Sequence, residues 1–247
     1  MEGWTNGGMD FSTRIEAIRR NRDEISAVME QERVVVCFGQ RAMLCFYLAG
    51  HLGPRQVVGA FTTAGEALAC TAEHQPSFLL TNDHLEDGSG LELVLTVKQR
   101  WPKVRTLLLI TREHRVAQLR AVINAGCDGL LLESSLGMGV ASSAVKAVCH
   151  GGVVVDRGVV ELLQAGSHHD RGPTAETLSQ RELEVLALLT RGDNNAEIAS
   201  QLVIAIDTVK CHVKSLLLKL GAKGRTQAAV LALEEGLVDW PRWSEDR

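Results

Sequence analysis

Between residues 33 and 151 a short apolar run is followed, five times over, by a stretch with helical periodicity. The runs cover 33–38, 56–62, 78–81, 105–111 and 129–132; the helical patterns cover 41–52, 65–74, 90–100, 116–125 and 140–151. Continuous apolar runs, rather than alternating ones, mark strands buried on both faces, and parallel strands need a crossover that a helix supplies. With right-handed crossovers this pattern predicts an α/β flavodoxin-like fold around a five-stranded parallel sheet. Ligands and chemistry in such sheets gather at the carboxyl ends of the strands. The third run ends there with Asn82 and Asp83, opening the polar turn "TNDHLEDGSG".

The flanks have a different texture. Residues 1–32 form an N-terminal extension in which Phe11, Ile15, Ile18, Ile25 and Met29 recur at steps of three and four, interrupted by Arg22. That spacing fits either a helix lying on its own domain or a short dimer seam. The receiver-like region is expected to span 33–164. Residues 165–177, rich in Gly, Ser and charge without apolar periodicity, read as a linker, and its His168, His169 and Asp170 as solvated rather than metal-binding. An all-helical block follows over 178–240, then a tail, 241–247.

Bulk properties exclude some classes. A chain of 247 residues with net charge -4 has no global basic character, so nucleic-acid binding needs a local patch. No apolar run reaches membrane-spanning length, and the N-terminus lacks the order of a signal peptide. Cys37, Cys45, Cys70, Cys127, Cys149 and Cys211 form no C-x-x-C pair, which predicts small buried thiols in a reducing cytosol and neither zinc nor disulfides. No nucleotide-binding glycine loop, nucleophile elbow or H-E-x-x-H is present, so no enzyme, cofactor or metal is expected.

Within the helical block, helices are predicted over 179–190, 195–202, 207–220 and 226–235. Ser179 and Glu182 have capping-box spacing, and Asn194 is typed to cap the second helix. The third, "DTVKCHVKSLLLKL", has an apolar face (Val209, Val213, Leu216, Leu217, Leu220) and carries Lys210, His212, Lys214 and Lys219 largely off it. From 207 to 227 five cations stand against one acid, a net +4. Long cationic side chains on one helix face can reach phosphates and guanine edges in a major groove, although a solvated face has the same pattern.

The ordered elements L-S-x-R-E-x-E-V-L, G-x-x-N-x-E-I-A, T-V-K-x-H-V and R-T-Q-A resemble the LuxR/NarL-type DNA-binding domain over nearly all of 178–240. The resemblance implies that the third helix enters the major groove. Lys210, Cys211 and Lys214 would face bases; Thr208, His212 and Arg225 would make backbone contacts. The fourth helix would form a dimer contact, so double-stranded DNA and a homodimer are the expected partners. Two positions depart from the family pattern: Ala205 stands where a Ser caps the recognition helix, leaving Asp207 to cap it, and Ala196 replaces a Lys.

"PSFLLTNDHLEDGSGLELVLTVKQRWPKVRTLLLIT" and "AVINAGCDGLLLESS" resemble a two-component receiver over roughly 33–163. Receivers phosphorylate an Asp ending the third strand, with an acidic pair for Mg²⁺, a Thr or Ser after the fourth strand and a Lys after the fifth. Here Cys37, Phe38 and Gly39 occupy the place of the acids, Asn82 that of the phosphoacceptor and Glu133 that of the Lys; Leu130 replaces a switch aromatic, and Thr111 alone keeps its type. A hard dication wants carboxylates, and an acyl phosphate needs a carboxylate nucleophile. Asp83, one step along, is expected on the opposite face unless a bulge at the strand end re-aims it, and even then it would have neither metal nor Lys.

The expected function is therefore a sequence-specific transcription regulator of the response-regulator type with a degenerate receiver, not controlled by Asp phosphorylation. That receiver is left to dimerise or to dock a protein or small molecule. The alternative is a protein-interaction adaptor with a vestigial helix-turn-helix. The resemblance implies a cytoplasmic, nucleoid-associated location in a bacterium or plastid, with no membrane partner.

Overall fold

The computed structural model describes residues 15–50, 56–111, 116–136, 140–165 and 178–241. The linker with His168, His169 and Asp170, and Phe11 of the N-terminal stripe, lie outside the described residues.

The first half runs α1 (Ile15–Val28), β1 (Val34–Cys37), α2 (Arg41–Gly50), β2 (Val57–Phe61), α3 (Ala64–His74), β3 (Phe78–Asn82), a small hairpin of β4 (His84–Leu85) and β5 (Gly88–Ser89), and α4 (Gly90–Arg100). It continues through β6 (Arg105–Ile110), α5 (Val116–Asn124), β7 (Gly129–Leu132), α6 (Val140–Cys149), β8 (Val154–Val155) and α7 (Arg157–Ala165). The main sheet has the order β2-β1-β3-β6-β7-β8, all parallel. The five apolar runs become its first five strands because Val- and Leu-rich segments covered on both faces have no solvent side to alternate toward; β1, β3 and β7 are buried at every position. The sixth strand is an addition. Its two residues pair with Gly129 and Leu130 at the edge, too short a run to register as a strand in the sequence.

Helix α1 lies on its own domain. Ile25 and Met29 enter the core beside Phe78 and Leu80, and Glu24 takes an ion pair from Lys146 on α6 at 2.7 Å. Ile15 and Ile18, the other half of the stripe, remain exposed at 48% and 38%. Cys37, Cys70, Cys127 and Cys149 are buried thiols as expected, whereas Cys45 and Cys211 are exposed.

The helical block is α8 (Gln180–Thr190), α9 (Asn195–Leu202), α10 (Ile206–Lys219) and α11 (Arg225–Glu234). Both α8 and α9 start with complete capping boxes, Ser179 with Glu182 and Asn194 with Glu197. Val203 closes α9 at φ 54°, a left-handed conformation that a β-branched residue adopts only under strain.

The block does not hang free of the sheet. Val230 and Leu233 of α11 belong to the apolar cluster formed by Leu119, Val122, Val155 and Val160. Thr226 Oγ1 donates to the Cys127 carbonyl at 2.6 Å, and Arg120 pairs with Glu234 at 2.8 Å. A Cβ on Gly152 would stand 1.8 Å from the Gly192 carbonyl oxygen, so the two halves touch backbone to backbone. Beside this contact, α6 and α8 flank a cleft of about 840 Å³ walled by Leu183, Ala187, Leu237 and Trp240.

Candidate functional site

The carboxyl edge of the sheet is closed by its own loop. Gly39, where a receiver carries an acid, approaches that loop so closely that a Cβ would lie 2.2 Å from the His84 carbonyl oxygen and 2.7 Å from Leu85 Cα. Only a residue without a side chain fits beneath it. The Gly39 amide donates to Asn82 Oδ1 at 3.2 Å, and Asn82 Nδ2, fully buried, has no partner among the described residues.

Asp83 is not carried to the far face of the sheet. It follows the last residue of β3, where strand alternation ends, and its carboxylate accepts from Thr111 N at 3.0 Å and from Thr111 Oγ1 at 2.7 Å. The residue is 2% exposed. The acid next to the phosphoacceptor position and the Thr that keeps its receiver type are thus bonded to each other.

The next two acids fasten the loop down. Glu86 accepts from Arg41 Nε and from Thr62 Oγ1, both at 2.9 Å, and these bonds lower its pKa, Arg41 first. Asp87 accepts from the amides of Ala64 at 2.6 Å and Gly65 at 3.0 Å, at the N-terminus of α3. Those backbone donors likewise hold its carboxyl below the ordinary range. Phe38 is a core residue, edge-on to Tyr47 at 5.5 Å, and Leu130 is fully buried. Glu133 is exposed in a 3₁₀ turn directly after β7. Among the described residues no cluster of three His, Cys, Asp or Glu offers a metal site.

The second site is the outer face of α10. Val209, Val213 and Leu216 are buried, which turns Asp207, Lys210, Cys211, Lys214 and Leu218 outward. Thr208 is exposed on the flank and His212 is half-buried. Of the cations that made this segment basic, two are tied to partners within the block: Lys219, still exposed, and the half-buried Arg225. Lys219 donates to Glu182 at 2.7 Å, and Arg225 to Asn195 Oδ1 at 2.6 Å and to the Asp193 carbonyl at 2.7 Å. Arg225, expected to touch the DNA backbone, here braces α11 against α9, and burial lowers its pKa. Ala205 occupies the N-cap of α10 with no side-chain bond, and Asp207 does not cap in its place. Its carboxylate reaches forward to Lys210 Nζ at 2.9 Å, and that bond lowers its pKa.

Glu182 is the hub beneath this face. It is 4% exposed and accepts from Ser179 N and Oγ, Ser215 Oγ and Lys219 Nζ. Burial opposes its ionisation, yet the donors outweigh burial and bring its pKa down to about 2. The capping-box spacing pointed to Ser179; nothing in the spacing pointed to Ser215 or Lys219.

Residues 176–232 match the family described as bacterial regulatory proteins, luxR family. The response regulator protein VraR of Staphylococcus aureus is 32% identical over 183 residues, covering 74% of this chain and 86% of VraR. Among solved structures, the Salmonella typhimurium RcsB response regulator shares 23% identity at a TM-score of 0.45, covering 81% of this chain and 98% of that one. Response regulator ChrA of a heme-sensing two-component system shares 25% identity at a TM-score of 0.42, covering 83% and 98%.

Proposed function

The chain belongs to the LuxR-family response regulators, DNA-binding regulators of transcription, and on that premise we propose that it works without phosphoryl transfer. The observation that carries this is the closure at Gly39. Receiver chemistry needs an acid there for Mg²⁺, and the loop backbone at 2.2 Å leaves no volume for one. Asn82 lacks a nucleophilic oxygen, Asp83 has Thr111 on both its oxygens, and Glu133 opposes a phosphoryl anion. Intact mass after incubation with Mg²⁺ and a small phosphodonor is expected to show no adduct. An adduct that disappears in Asp83→Asn would overturn the proposal.

DNA contact falls to the outer face of α10, with Lys210, Cys211 and Lys214 toward the bases and Thr208 and His212 toward the backbone. Arg225, which braces α11 against α9, is the third expected backbone contact. Replacing Lys210 and Lys214 by Ala is expected to weaken duplex binding and to relax its base preference, since cations on base edges carry sequence information. Pairing of two chains through α11 requires that helix to leave the sheet domain, because Val230 and Leu233 are covered there. The adaptor alternative draws on Leu218, an apolar residue 84% exposed on the outer face of α10. If full-length function survives the loss of Lys210 and Lys214, the adaptor reading prevails.

A further inference from the structure

The outer face of α10 carries an acid as well as cations. Asp207 sits in the first turn, in line with Cys211, Lys214 and Leu218, and is 88% exposed. It neither caps the helix nor touches the core. Its bond is to Lys210, itself 60% exposed. With Lys219 bonded to Glu182 and Arg225 to Asn195, Lys210 and Lys214 are the cations on the outer face of α10, so a carboxylate among them removes a large share of its attraction for phosphate.

An acid facing DNA repels every phosphate, whatever the sequence, and gains something back only where a base presents an N–H donor. In the major groove cytosine N4 is such a donor, and guanine O6 and N7 are the acceptors beside it. Asp207 and Lys210 present an acceptor and a donor 2.9 Å apart. The first turns of a groove-bound helix are also the ones that reach base edges.

We propose that Asp207 is a specificity-determining residue: with Lys210 on guanine, it accepts from cytosine N4, and the pair reads a G·C base pair. The proposal rests on the DNA-binding reading of α10 given above. It adds that an anionic side chain selects the sequence while lowering affinity for duplex in general.

Selection from a random-sequence duplex library with the full-length chain tests it. The wild type is expected to enrich a site with a fixed G·C pair. Asp207→Ala should lose the preference at that pair by about fivefold or more, keep the other positions, and bind non-specific duplex more tightly. Asp207→Asn should move the preference toward adenine, whose N6 and N7 suit an amide. Both variants alter an exposed position, and unchanged thermal unfolding would verify their fold. The proposal is overturned if both variants enrich the wild-type site with every base preference intact. A wild-type chain that enriches no sequence and shows no salt-dependent duplex binding would sink the DNA reading of α10 and this proposal together.

Discussion

Glu182 illustrates what a single residue does here. With a folded pKa of about 2 against an ordinary 4.5, its stabilisation is complete above pH 4.5 and is lost as pH falls toward 2. Glu182→Gln should therefore destabilise the helical block by about 2 kcal/mol at neutral pH and flatten the acid limb of its unfolding curve, both read by thermal unfolding across pH. Gly39 works in the opposite sense, by having nothing to offer. Gly39→Asp is expected to cost about 1–3 kcal/mol from overpacking against the His84 carbonyl and to create no Mg²⁺ response, measured as urea unfolding with and without the metal. The departures from the receiver pattern at Gly39, Asn82 and Glu133 are read from the sequence alone. The bond between Asp83 and Thr111 is not, because strand alternation is a rule for residues inside a strand and Asp83 stands just past its end.

At the scale of elements, α10 is a weakly started helix. Its neighbours α8 and α9 begin with full capping boxes, whereas Ala205 leaves the first amides of α10 without a side-chain acceptor. Ala205→Ser is expected to stabilise the block by about 1 kcal/mol and to slow amide exchange in the first turn of α10. The turn before it carries a second cost in Val203, which Asn should relieve, since Asn tolerates the left-handed region. Element types were legible because apolar spacing decides them locally: α4 and β7 fall on their expected boundaries. The strand β8 was not, because two residues acquire strand character only from the neighbour they pair with. The internal partners of Arg225 were hidden for the same reason: Asn195 and Asp193 lie 30 and 32 residues away.

For the whole molecule, the contact between α11 and the sheet domain governs what the two halves can do separately. Thr226→Val removes the buried bond to the Cys127 carbonyl while nearly preserving shape. It should loosen the contact by about 1 kcal/mol, seen as faster hydrogen exchange in α11 and as self-association at lower protein concentration. The two-part division was readable from the change of sequence texture; the docking was not, since the stripe of Val230 and Leu233 is the same whether it meets another helix of the block or a foreign surface. One consequence follows from which surfaces are covered. The outer face of α10 is open to solvent in the docked arrangement, while α11 is not. On the proposed reading, a single chain contacts one half-site without rearranging, whereas pairing through α11 carries the cost of undocking. The spacing between two halves, as much as their letters, would then decide where the protein stays.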